Sequence, residues 1–294
     1  AWATDQVDRA HFALSDMAGK QFHSFERFSR GAAGLAGVTV KPLRVWLEDW
    51  FAVGVSDRVG DDADLQLRLH ADTGDIAVDL RAESTKPVVL QGQAGLSRKS
   101  AERGNASYYY SATRLSTAGT IRIGARRFAV QGFSWMDREW ATSALDQDQT
   151  GWDWFALQLN DGHELMFYQL RRQDGQADRF SAGTLVLPDG STQTLTLEDI
   201  ELEARGHWQS PRTGARYPLR WRLHIPAAAL RLEIEPYLNA QEHVLSVRYW
   251  EGAVRVVGTS RGAPVEGSGY LELVGYTSPA LSGGRRSSRY SMGY

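Results

Sequence analysis

With 294 residues and 42% hydrophobic side chains, the chain is long enough for two domains of about 140 residues that each bury a core. A net charge of −2 with acids and bases interspersed excludes a dedicated nucleic-acid surface, and the lack of cysteine excludes disulfides, thiolate nucleophiles and cysteine-bound metals. No apolar run reaches the roughly 18 residues a membrane helix needs, and residues 1–10 are too polar for a signal peptide, although removal of a leader leaves a periplasmic or exported location open.

In chain order, the apolar pattern alternates with period two rather than 3.6, in Ile76-Ala77-Val78-Asp79-Leu80, Ile121-Arg122-Ile123, Leu195-Thr196-Leu197 and Leu230-Arg231-Leu232-Glu233-Ile234. Turn chemistry separates such runs at Asp72-Thr73-Gly74-Asp75, Asn160-Asp161-Gly162 and Pro188-Asp189-Gly190-Ser191. Many short strands with glycine-rich turns predict sandwiches or barrels. Residues 95–107 are polar and read as a mobile loop, and residues 278–294 as a disordered tail.

Residues 132–168 hold four of the ten tryptophans and read as a seam between two β domains. A strand ends in Ser134-Trp135-Met136-Asp137-Arg138-Glu139-Trp140, a polar connector occupies residues 142–151, and alternation resumes at Trp152. An internal repeat runs through both halves. Phe12-Ala13-Leu14 matches Phe155-Ala156-Leu157, Leu47-Glu48-Asp49 matches Leu197-Glu198-Asp199, and Leu67-Arg68-Leu69-His70 matches Trp221-Arg222-Leu223-His224. Residues 119–137 resemble residues 252–273, each a hairpin closing on an aromatic-rich strand. The kept order is what duplication of one β unit leaves.

None of the seven histidines forms an HxH or HExxH pair, so spacing requests no metal. His70 and His224 share a repeat position, which points to a structural role in each half. Gly258-Thr259-Ser260-Arg261-Gly262 satisfies GxSxG but lies between two alternating segments, where a hairpin turn is expected rather than a nucleophile elbow. Asn105-Ala106-Ser107 is a sequon by composition only. Strand alternation puts Trp135, Asp137 and Glu139 on one face. An acid on an aromatic-lined face has its charged form disfavoured and can donate a proton; equally, Asp137 can pair with an arginine across the sheet or cap the next turn. Tyr108 and Tyr110 share a strand face and suit either an interface or a grip on a long apolar ligand, and Trp208, Tyr217 and Trp221 form a second cluster with the same two readings.

At these residues the chain resembles the carotenoid 1,2-hydratase and AttH-like family of tandem lipocalin-like β domains. The resemblance covers residues 10–276 and rests on Val45-Trp46-Leu47-Glu48-Asp49-Trp50, on the Gly132 to Trp140 strand, on Gly151-Trp152-Asp153-Trp154-Phe155-Ala156-Leu157-Gln158-Leu159, on Trp208 to Trp221, and on Gly267-Ser268-Gly269-Tyr270-Leu271-Glu272-Leu273. Lipocalin-like pericyclases of fungal polyketide pathways are similar in architecture. The resemblance implies protonation of an alkene by a carboxylic acid, stabilisation of the cation by aromatic faces, and capture by water. Its acid position is Asp137; its Tyr position is Trp135, and its His and Trp positions are Tyr108 and Tyr110, so only the acid is unchanged. The family's usual Glu-Trp-Trp-Tyr segment has no counterpart, and an open sheet edge favouring self-association is expected from that.

The expectation is therefore an all-β chain of two lipocalin-like antiparallel β-barrel or sandwich domains in tandem, over residues 1–141 and 142–277, followed by a flexible tail over 278–294. An apolar isoprenoid- or polyketide-like small molecule would occupy an aromatic pocket near the domain interface, walled by Trp135, Tyr108, Tyr110, Trp154, Trp208 and Tyr217. Asp137 would be the acid of a hydro-lyase. The rivals are a non-catalytic periplasmic lipid binder and a purely structural aromatic seam. No cofactor, metal or nucleic acid is expected, and peripheral membrane contact stays open.

Overall fold

The computed structural model describes residues 6–55, 65–102, 104–141 and 145–276. Part of the predicted connector, residues 142–144, and the whole predicted tail, 278–294, lie outside them. Two compact units emerge: Ala1–Leu14, His23–Pro87 and Ala112–Met136 form one, and Ser15–Phe22, Val88–Ser111 and Asp137 onward form the other. Among the described residues the regular structure is β-strand apart from three single 3-10 turns, so no helix is long and apolar enough to cross a membrane.

The first half opens with β1 (Asp8–Asp16) and β2 (Gln21–Ser29), which pair with each other. A meander follows through β3 (Ala36–Val40), β4 (Leu43–Leu47), β5 (Trp50–Gly54), β6 (Gln66–Asp72) and β7 (Ile76–Ser84). Short strands β8 (Val89–Leu90) and β9 (Leu96–Arg98) then lead into the long hairpin of β10 (Ala106–Ile123) and β11 (Arg126–Ala141). The second half holds β12 (Gln149–Leu159), β13 (Glu164–Arg172), β14 (Ala182–Val186), β15 (Thr192–Thr196) and β16 (Glu201–Gln209). It ends with β17 (Arg216–Ile225), β18 (Leu230–Pro236), β19 (Glu242–Val244), β20 (Arg248–Ser260) and β21 (Ala263–Val274).

All ladders with a defined register are antiparallel, and the two halves share one cyclic order. The first runs β3-β4-β5-β6-β7-β10-β11, with β1-β2 apart; the second runs β16-β17-β18-β20-β21-β12-β13-β14-β15. The cycle is opened between β15 and β16 in one sheet and on either side of the β1-β2 hairpin in the other. The repeated segments of the sequence fall at equivalent places in it: β1 with β12, β6 with β17, and the β10-β11 hairpin with β20-β21. His70 on β6 stacks on Phe51 of β5 at 5.3 Å, and its counterpart His224 on β17 bonds Glu201 of β16 at 3.0 Å.

The turn signals act through their aspartates. Asp72, Asp161 and Asp189 each accept a hydrogen bond from the backbone N–H two residues on, in Gly74, His163 and Ser191. GxSxG is a hairpin: Arg261 and Gly262, at φ +51 and +83, form the two-residue turn between Ser260 and its partner Ala263, and a positive φ at both positions is what a type I′ turn demands.

The second sheet curls round a full core. Phe155, Leu157 and Leu159 of β12 point into it with Trp221, Trp250 and Leu271, all but sealed from solvent, and Phe155 meets Trp221 edge-on at 5.4 Å. Trp152 and Trp154, at alternate positions of β12, face outward and stay half-buried. The first unit packs less apolar mass: Leu67, Ala82, Ala112 and Leu115 are fully buried, while Phe12 stacks on Phe25 and meets Trp50 edge-on, both at 5.9 Å.

Candidate functional site

Strand alternation in β10 decides which tyrosine matters. Ser107, Tyr109 and Ser111 are buried, whereas Tyr108 is 68% exposed and Tyr110 turns with it to lie 5.7 Å from the ring of Trp140. The hydroxyl of Tyr109 donates to Asp137 Oδ2 at 2.7 Å, Ser111 donates to Asp137 Oδ1 at 2.5 Å, and the indole N–H of Trp154 donates to the Tyr109 oxygen at 3.1 Å. Of the predicted walls, Trp154 thus joins the Asp137 group, while Tyr108 and Tyr110 stand on the opposite face of their strand. Burial, followed by the nearby charges of Asp137 and Glu139, raises the Tyr109 phenol well above its usual range, so it stays a hydrogen-bond donor at neutral pH.

Residues 95–102 and 104–107 are not a mobile loop but pack on the outer face of the second sheet. Ser97, Lys99, Ser100, Asn105 and Ser107 are buried, and each polar group is spoken for. Ser97 shares a hydrogen bond with Tyr168 at 2.9 Å, Asn105 donates to Ser100, and Gln149 reaches the Lys99 carbonyl. Burial of Asn105 also removes the sequon from consideration as a surface acceptor. Lys99 sits 3.9 Å over the Tyr168 ring and 2.9 Å from Glu139, which in turn accepts from Ser107. Gln91 adds to this packing by donating to Ser111 and accepting from Thr184.

Beyond Trp154 on the same outer face lies a pair the sequence reading missed. Glu272 is the β21 partner of Trp154, and Glu251 is the direct β20 partner of Glu272. Direct antiparallel partners hold their Cβ atoms about 5 Å apart, so two carboxylates here cannot both ionise cheaply. Burial, then the charge of Glu251, pushes Glu272 up to about 8, against an indole hydrogen bond from Trp152 that lowers it; burial likewise pushes Glu251 up to about 7. The Glu251 side chain keeps 31% of its exposure, so the pair meets solvent at one side rather than lying in a sealed core. Tyr270 lies one position along on the same face, and the ring of His243, stacked at 4.5 Å on Tyr249, comes within 3.7 Å of Glu251.

The remaining predicted residues go elsewhere. Trp135 is half-buried on β11, two residues before Asp137. Tyr217 belongs to the interior of the second sheet, stacked with Trp208 at 6.3 Å; its hydroxyl, with those of Thr213 and Ser210, binds the buried Glu242. That interior is filled by side chains, so Trp208 and Tyr217 are core residues and do not line the outer face. An open groove of about 620 Å³ in the first unit is lined by His70, Asp79, Arg81, Arg122 and Arg127, but none of the Asp137 or Glu272 neighbours reaches it and its acids are held by arginines: Arg122 bonds Asp72 and Arg68 bonds Asp79. Among the described residues no three His, Asp or Glu side chains converge to hold a metal.

The fold and its repeated strand order define an all-β protein of tandem lipocalin-like sheets. The chain belongs to the AttH-like family, whose model matches residues 1–276. A crystal structure from Nitrosomonas europaea assigned to AttH is 32% identical with a TM-score of 0.83, covering 94% of this chain and 83% of that one. Kievitone hydratase of Fusarium solani subsp. phaseoli is 25% identical over 230 residues, 75% of this chain; the match spans only 63% of that protein's length. The crystal structure of kievitone hydratase from Nectria haematococca shares the fold, with a TM-score of 0.72 at 18% identity over 92% of this chain and 80% of that one.

Proposed function

We propose that the crevice on the outer face of the second sheet binds an apolar, alkene-bearing small molecule of isoprenoid or polyketide-like class and adds water across its double bond. The observation that carries this reading is the Glu251 and Glu272 pair, set across from each other beside Trp154. At neutral pH at least one of the two keeps its proton, which makes Glu272 the donor: its O–H proton passes to the alkene carbon, leaving a carboxylate and a carbocation. Trp152, Trp154 and Tyr270 offer π faces to that cation. Water then forms the C–O bond and returns its extra proton to the Glu272 carboxylate, so the acid is regenerated. Asp137, the acid position of the family resemblance, is held by two hydroxyl donors; in this reading it fixes Tyr109 beside the reacting alkene and does not supply the proton. The match to a hydratase supports the reaction class.

The test is incubation of the full chain with acyclic isoprenoid alkenes in heavy water, reading the adduct by mass. Wild type should form an adduct carrying one carbon-bound deuterium, and Glu272→Gln should cut its rate by about 100-fold or more. Equal adduct formation by wild type and Glu272→Gln would remove the assignment. The complete engagement of Asp137 by Tyr109 and Ser111 favours a second reading, a binding wall without turnover; that reading stands if wild type, Glu272→Gln and Asp137→Asn all retain the same ligand unchanged.

A further inference from the structure

The outward side of β8 to β11 in the second unit carries a patch that the crevice does not use. Tyr108 lies opposite Leu96 and Tyr110 opposite Leu90 in the β9 and β8 ladders, which places all four side chains on one face. Leu90 is 56% exposed and Leu96 39%, and Trp140, beside Tyr110, is 46% exposed. Scattered single apolar residues are ordinary on a surface; a contiguous group of two leucines, two tyrosines and a tryptophan is not.

Strand alternation adds two charged side chains to this face, both of them arginines. Arg98 continues β9 two residues beyond Leu96, and Arg138 continues β11 two residues before Trp140, with its guanidinium 5.1 Å over the Trp140 ring. Arg98 lies 5.4 Å over Phe180. Neither arginine pairs with an acid among the described residues. The acids of β11, Asp137 and Glu139, point to the other side and are engaged there by Tyr109, Ser111, Ser107 and Lys99.

We infer that this face docks onto an anionic lipid surface. Tyrosine and tryptophan place an apolar body and a polar tip at the boundary between headgroup and acyl chain, leucine adds area that enters the chain region, and arginine pairs with phosphate while its stem stays with the apolar layer. A second protein copy offers no reason for unpaired arginines without acids on a self-complementary face, since the same patch would meet its own positive charge. The inference stands on the patch alone and does not depend on turnover in the crevice.

Flotation of the full chain with lipid vesicles tests it. The chain should float with vesicles of phosphatidylcholine mixed with phosphatidylglycerol, less with phosphatidylcholine alone, and less again as salt rises. Arg98→Gln with Arg138→Gln should weaken binding about five-fold per arginine removed and abolish the preference for phosphatidylglycerol. Tyr108→Ser with Trp140→Ser should lose binding to both vesicle types, with unchanged far-ultraviolet circular dichroism as the control for folding. Absence of flotation, or binding indifferent to both double variants, would overturn the inference. So would concentration-dependent dimerisation without vesicles that Tyr108→Ser abolishes, because the occupant would then be a second copy.

Discussion

Tyr109 donates to Asp137 and accepts from Trp154, so one phenol oxygen fixes an acid and an indole at once. Tyr109→Phe leaves one Asp137 lone pair and the Trp154 N–H without their partner, and should cost about 1 to 3 kcal/mol in urea unfolding, more than a surface tyrosine would. The glutamate pair gives a pH signature of definite sign. A folded-state proton affinity above that of the unfolded chain means the folded protein holds protons that the unfolded chain has released, so stability is fully present below the usual glutamate value of 4.5 and is lost as pH rises through about 7 and about 8. Glu272→Gln should flatten that loss: the melting temperature of wild type should fall between about pH 5 and 9, and that of the variant should fall less. Identical pH profiles would mean the pair titrates normally.

At the scale of elements, alternation was legible and its direction was not. Tyr108-Tyr109-Tyr110 reads as strand, but three equal side chains say nothing about which parity faces the second sheet, and the buried member proved to be the central one. Glu251 and Glu272 occupy outward positions in Trp250-Glu251-Gly252 and Leu271-Glu272-Leu273, where acids ordinarily meet water; that the two stand directly opposite each other follows from the β20-β21 register, which the sequence does not print. Residues 95–107 were misread for a related reason. Their apolar alternation is broken by Gly95, Ser97 and Lys99, and burial there depends on polar partners far along the chain. The GxSxG stretch was legible because turn chemistry is local. Gly258, its first glycine, sits where an added Cβ would collide with the Arg231 carbonyl of β18, so Gly258→Ala should destabilise by about 3 kcal/mol, whereas Ser260→Ala removes one side-chain hydrogen bond to Asp161 and should cost about 1 kcal/mol. Chemical denaturation of both variants separates a sheet glycine from a nucleophile motif.

Over the whole molecule, the duplicated strand order was visible in matched segments of sequence and recurs as one cycle of pairing opened at different places. The segment Val88–Ser111 folds with the second unit, and its short strands β8 and β9 pair β10 as β19 pairs β20. Gln91 holds this segment by bridging Ser111 and Thr184, all three buried. Gln91→Ala should leave both hydroxyls unsatisfied and cost about 2 kcal/mol, with faster amide exchange across residues 88–111 than across β12 and β21. That segment is therefore held by polar bonds, while the sheet it packs on rests on an apolar core.

The proposed hydration requires that the outer face of that sheet keep a carboxylic acid protonated at neutral pH beside aromatic rings. The most direct measurement is a pH titration of the glutamate side-chain carbonyl carbons by nuclear magnetic resonance, assigned with Glu251→Gln and Glu272→Gln. Two coupled transitions near about 7 and about 8, replaced by a single one in either variant, are the predicted result. Transitions for both residues at the ordinary glutamate value of 4.5 would contradict the account, because neither side chain could then supply the proton.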